Sequence, residues 1–157
     1  MPAGTDAIKL LKDDHNKVKD LFAEFEKADG RSKKRIAKET ILELEVHAKL
    51  EEEIFYPKFL ETVKDEMITA EAEEEHHVAE TVMDELKQML QSSGADVHFD
   101  AKYMVLAENV KHHIQEEEKE MLPKAEKKMG KEMLADLGEQ MVQRKEQLMK
   151  EMSAAMA

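Results

Sequence analysis

Four histidines and two glutamates carry the chemistry that this sequence could do. His47 is followed by Glu51 and Pro57 in HAKLEEEIFYP, and the order recurs as His113, Glu117 and Pro123 in HIQEEEKEMLP. A histidine and a glutamate four residues apart lie one turn apart on the same helix face, so both side chains reach one point beside the helix. The spacing alone is weak, because His76/Glu80 and His112/Glu116 share it. What selects His47, Glu51, His113 and Glu117 is that they fall inside apolar stripes, where an unpaired carboxylate is costly unless a counter-charge or a metal is present. The glutamate runs Glu73 to Glu75 and Glu116 to Glu118 otherwise read as solvated faces.

The repeat extends upstream. Aligning His15 with His76 superposes Val18 on Ala79, Leu21 on Val82, Phe22 on Met83 and Phe25 on Leu86, and an acidic residue, Asp14 or Glu75, precedes each histidine. The unit is a helix with one His followed by a helix with His-x-x-x-Glu and a downstream proline. With no cysteine in the chain, any metal is held by nitrogen and oxygen. Imidazole with carboxylate suits Fe, Mn or Zn, and two glutamates on opposite helices can each bridge a pair of ions. A two-metal centre is expected, with histidines at the terminal positions and an oxo or hydroxo bridge completing the charge balance.

The elements that must position these residues are helices. Charged residues make up 38% of the 157-residue chain and aromatics 4%, with five Gly and three Pro. Ala, Leu, Met, Glu and Lys, which lose little rotamer freedom in a helix, dominate. Thr5 is a candidate cap for a first helix reaching about Ala28, with Ile8, Leu11, His15, Val18, Phe22 and Phe25 on one face. A second helix begins near Ser32 and is kinked or ended at Pro57; a third runs from about Asp65 to Gln91; Ser92-Ser93-Gly94 reads as a loop. A fourth starts near Asp96 and is interrupted at Pro123, and Leu134, Leu137, Met141, Leu148 and Met152 mark a last amphipathic helix of about 130–153. With turns near residues 30, 62 and 94, a rise of about 1.5 Å per residue sets His15, His47, His76 and His113 at one height to within about a turn. The expectation is all-α: one domain over 1–157, an up-down-up-down four-helix bundle over about 6–127 with an additional C-terminal helix. His98 is expected at the surface, and His77 and His112, about 100° round the helix from chosen ligands, exposed or behind them.

The formal net charge of -12 argues against a nucleic-acid partner and against anionic membrane surfaces, because phosphate recognition needs clustered Lys and Arg. The N-terminal stretch lacks the run of a signal peptide, and no segment reaches the roughly 18 apolar residues of a membrane span. A cytoplasmic protein is expected. The Met-rich last helix is expected to pack on the bundle, or to serve a homo-oligomer or another partner.

His15, His47-x-x-x-Glu51, His76 and His113-x-x-x-Glu117, with both prolines, resemble the haemerythrin-like proteins that carry the HHE cation-binding domain. The resemblance implies a non-haem centre of two Fe ions, bridged by Glu51 and Glu117 with the four histidines as terminal ligands, that binds or reacts with O2, H2O2 or NO. Peroxidase-like or catalase-like activity, or redox or gas sensing, follows as an expectation. Oxygen-carrying haemerythrins have a fifth histidine one turn along the third helix, where this chain has Glu80. Glu80 is therefore either a substitute ligand or a position left open, and redox reaction or sensing is expected over reversible oxygen carriage. The alternative class is an iron-storage or iron-sensing helical protein whose metal occupancy controls a partner interaction.

Overall fold

The computed structural model describes residues 6–92 and 96–156, all within or between helices. Helix α1 spans Ala7–Lys27 and α2 Gly30–Leu50; a five-residue π turn, Glu51–Phe55, joins α2 to α3, Tyr56–Val63. Helix α4 spans Glu66–Ser92 and α5 Val97–Glu116, and a second π turn, Glu117–Met121, joins α5 to α6, Leu122–Met156. Aspartates begin all four bundle helices. Asp6 accepts from the Lys9 N–H, Asp29 from Ser32, Asp65 from Ile68 and Asp96 from Phe99, each satisfying an otherwise orphaned first-turn donor. Thr5 and Ser93-Gly94 lie outside the described residues.

Pro57 neither ends nor breaks its helix. A proline inside a regular helix removes one amide donor and crowds the carbonyl four residues back. Here the backbone widens first: the Tyr56 N–H reaches Glu51 O, five residues back, and Pro57 then falls in the first turn of α3, where no donor is needed. The second copy repeats the device, with the Leu122 N–H on Glu117 O ahead of Pro123. The rod formed by α5, the second π turn and α6 breaks instead at Gly130, where φ 79° and ψ 168° are non-helical.

Helices α1, α2, α4 and α5 form the up-down-up-down bundle, and α6 lies along α1 and α2. Apolar side chains collect in two clusters. One, with Val18, Phe22, Phe25, Ile41, Leu86, Phe99, Tyr103 and Leu106, fills one end; the other, with Leu11, Leu50, Phe55, Phe59, Met121 and Leu122, fills the opposite end. Leu134, Leu137, Met141 and Leu148 of α6 are buried in the second cluster, so this strip packs within the chain. Between the clusters lies a layer of buried polar residues: Asp14, His15, His47, Glu51, His113 and Glu117. Each is flanked along its helix by core residues on both sides, which excludes water from above and below.

Candidate metal centre

The six residues singled out by spacing converge. His15, His47, Glu51 and Glu117 each offer a ligand atom within 4.8 Å of the others, and Glu51, His76 and His113 form an adjoining group that shares Glu51. Glu51 Oε1 lies 3.3 Å from His47 Nε2 and 3.0 Å from His76 Nε2. Glu117 lies 3.1 Å from His15 Nε2 through Oε1 and 3.2 Å from His113 Nε2 through Oε2. Each glutamate thus stands between a histidine of one pair and a histidine of the other.

Each imidazole is also held from behind. Nδ1 of His15 pairs with Glu118 (2.6 Å), that of His47 with Asp14 (2.9 Å), that of His76 with Glu52 (2.8 Å) and that of His113 with Glu75 (2.7 Å). With Nδ1–H donating outward to a carboxylate, Nε2 is left facing the centre, the arrangement that fixes a metal-binding histidine's tautomer and orientation and raises its basicity. The pairing follows the internal repeat: Asp14–His47 and Glu75–His113 lie within the halves, Glu52–His76 and Glu118–His15 cross between them. Spacing singled out none of these four carboxylates as a partner, and Glu75 and Glu118 are not merely solvated. The sequence signal was present in both copies as an acidic residue before the first histidine and another after the glutamate.

Tyr56 is the residue that spacing missed. Its hydroxyl oxygen lies 3.1 Å from Glu51 Oε1, 2.9 Å from Glu117 Oε2, 3.2 Å from His76 Nε2 and 3.4 Å from His113 Nε2. In a continuous α-helix a residue five beyond Glu51 would point to another face; the π turn brings Tyr56 over Glu51. The second copy has Leu122 at this place before its proline, so Tyr56 breaks the symmetry of the two halves.

Glu80 is exposed and belongs to neither group. The wall beside His76 is formed instead by Ala79 and Met83, part of the lining of a cavity of about 40 Å³ that also meets His15, His47, His113, Val18, Leu44, Val110 and Ile114. His77, His98 and His112 are exposed.

The donor set fits cations. His15 Nε2, His47 Nε2, Glu51 Oε2 and Glu117 Oε1 are buried with no hydrogen-bond partner. Although His15 Nε2 and Glu117 Oε1 are close, they lie side by side instead of aligned as donor and acceptor, as co-ligands of one ion would. Charge compensation points the same way. Burial disfavours the Glu51 carboxylate, but the His47 charge and hydrogen bonds with Glu117, His113 and His47 outweigh it and hold its pKa well below the usual range. Burial would lower His47 and His113, yet Glu51 and Asp14 push His47 well up, and hydrogen bonds with Glu117, Glu51 and Glu75 do the same for His113. His76, also disfavoured by burial as a cation, is raised to about 9 through Glu51 and Glu52. Burial and the charges of Glu117 and Glu51 push the Tyr56 phenol well above its ordinary value. Without metal, protons on imidazoles supply the positive charge this layer requires.

The sequence matches the family described as the Hemerythrin HHE cation binding domain over residues 6–125, and the chain belongs to that family. Comparison with curated proteins finds no match. Among solved structures, the chain is similar to a hemerythrin HHE cation binding domain-containing protein, an Rv2633c homolog from Mycobacterium kansasii, at 26% identity and a TM-score of 0.78 over 93% of this chain and 88% of the other. Among the described residues, no helix is long and apolar enough to cross a membrane.

Proposed function

We propose that the chain is a non-haem diiron protein that binds or reacts with O2, H2O2 or NO. The observation that carries the reading is two histidine pairs facing two shared glutamates, each imidazole backed by a carboxylate, beside a small apolar cavity. His15, His47, Glu51, His76, His113 and Glu117 would hold two iron ions, which would supply redox equivalents and a binding place for a small ligand. Glu51 and Glu117, each beside a histidine of both pairs, would be shared between the ions, and the Tyr56 hydroxyl lies within reach of His76 and His113.

Cavity size restricts the ligand class. At about 40 Å³ the space beside the histidines accommodates a few water-sized positions at roughly 10–15 Å³ each, a size that suits a diatomic or a peroxide. The flanking apolar clusters keep bulk water from the centre, and Tyr56 holds a proton at its hydroxyl between the carboxylates. A cation in the site would oppose the carboxylate charges that hold this proton on Tyr56.

Anaerobic titration with Fe(II), followed by air or peroxide, tests the reading. Two iron per chain and the near-ultraviolet absorption of a diferric centre are expected; a protein that takes up no iron under these conditions overturns it. Peroxide consumption by the loaded protein, followed by oxygen release or by oxidation of an added electron donor, separates catalase-like from peroxidase-like chemistry. The storage or sensing alternative needs a partner-facing surface, and burial of the α6 strip within the chain gives it less support.

A further inference from the structure

The four carboxylates behind the histidines are not equivalent. The side chains of Glu118, Glu52 and Glu75 are 30%, 46% and 28% exposed, whereas that of Asp14 is 7% exposed. Water can solvate the first three. Asp14 is largely cut off from it, and its two oxygens are divided between two partners: Oδ2 accepts from His47 Nδ1 at 2.9 Å, and Oδ1 accepts from Lys145 Nζ at 2.6 Å. Lys145 is on α6. Among the described residues, Glu52, Glu75 and Glu118 have no lysine or arginine partner.

We infer that Lys145 is a positioning residue for the metal centre: through Asp14 it fixes the orientation of His47, and so makes the C-terminal helix part of the centre's support. A carboxylate removed from water has two ways to settle, by moving toward solvent or by engaging a cation. Lys145 supplies the cation where it stands, so Asp14 stays behind His47 without drifting to the surface. The charge-assisted bond to Asp14 also draws electron density away from the oxygen facing His47, which sets the His15/His47 side apart from the His76/His113 side. Coupling runs in both directions, because whatever orders His47 also orders Asp14 and the α6 turn carrying Lys145.

Arg144, the next residue on α6, provides the control. It pairs with Glu53 at 2.8 Å, tying the same helix to the same bundle through a carboxylate that touches none of the four histidines. Losing Arg144 weakens α6 docking alone; losing Lys145 weakens docking and frees Asp14.

The inference rests on the diiron reading, and the experiment separates the two. Wild-type, Lys145→Met, Lys145→Arg and Arg144→Met full-length proteins are titrated anaerobically with Fe(II) against a chelator, and backbone exchange in α6 is followed by mass spectrometry with and without Fe(II). For Lys145→Met, one of the two iron equivalents is expected to weaken about tenfold, at the low end for loss of support behind a metal-ligating histidine. The other equivalent stays within about twofold, Lys145→Arg restores both, Arg144→Met changes neither, and Fe(II) slows α6 exchange in wild type but not in Lys145→Met. Unchanged affinities in Lys145→Met, equal weakening of both equivalents, or equal weakening in Arg144→Met overturns the inference while leaving the diiron reading intact. A wild-type protein that takes up no Fe(II) overturns both.

Discussion

The centre is a balance of buried opposite charges, and the sharpest predictions belong to its individual residues. Glu51 is fully buried and faces histidines of both pairs. Glu51→Gln leaves those imidazoles without their shared counter-charge. The metal-free protein should lose about 3–5 kcal/mol in urea unfolding, the usual cost of removing one partner from a buried ion pair. Iron uptake should fall below two per chain by metal analysis. Tyr56→Phe keeps the buried ring and deletes only the hydroxyl between Glu51 and Glu117. A loss of about 1–3 kcal/mol is expected in the same assay, for carboxylates deprived of a donor. His76, with His47 and His113, contributes to the pH dependence of the metal-free state. The folded pKa of His76, about 9, lies above the ordinary histidine value of 6.5, so its contribution to stability is complete below about pH 6.5 and lost as pH rises through 9. Thermal melts of metal-free protein across that window should fall progressively, and a flat profile would show that His76 does not carry the proton.

At the scale of elements, the two π turns are the devices that make the site. Each places an extra residue just after a buried glutamate of the polar layer and just before a proline, which lets one rod continue while its face rotates. In the first copy the rotation delivers Tyr56 to the polar layer; in the second it delivers Leu122 to the core. Gly130 governs the last element. Its φ of 79° lies in a region that L side chains rarely adopt, while the space around it is open, so a Cβ there meets backbone strain and no clash. Gly130→Ala should cost about 1–3 kcal/mol in denaturant unfolding. Because α6 carries Lys145 against Asp14, the same variant offers a way to disturb the docking of α6 from a distance.

Taken as a whole molecule, the protein consists of two apolar cores joined by a polar layer, whose buried carboxylates need positive charge when metal is absent. A cation bound there replaces protons on several imidazoles. Iron affinity should therefore rise with pH, and loading should release protons, measurable by calorimetry in buffers of different ionisation enthalpy. Ligand that binds only the folded state stabilises by mass action, about 2.7 kcal/mol at a free concentration a hundred times the dissociation constant. Iron should thus raise the unfolding midpoint and a chelator should reverse it. An unchanged melt in the presence of bound iron would mean that the unfolded chain binds iron as tightly as the folded one.

His15, His47, Glu51, His76, His113 and Glu117 were legible in the sequence because helical periodicity is rigid. A rise and a rotation per residue fix which side chains share a face and at what height, so a duplicated His-x-x-x-Glu and two aligned histidines imply convergence. The all-α architecture followed from a composition rich in helix-forming residues, and the same periodicity placed the individual helices. Tyr56 was not legible, since its place depends on a π turn that shifts the angular register by one residue, and the proline that marked the spot equally suits a helix end. Nor were Asp14, Glu52, Glu75 and Glu118, because in a chain this acidic a carboxylate behind a histidine looks like any solvated one until neighbouring helices bring the two together. Glu80 shows the converse: its one-turn spacing from His76 was satisfied, but the helix turns it to solvent. Local geometry determined which residues could meet, and only the packing of one helix against another decided which of them support the centre, including the lysine that α6 lays against Asp14.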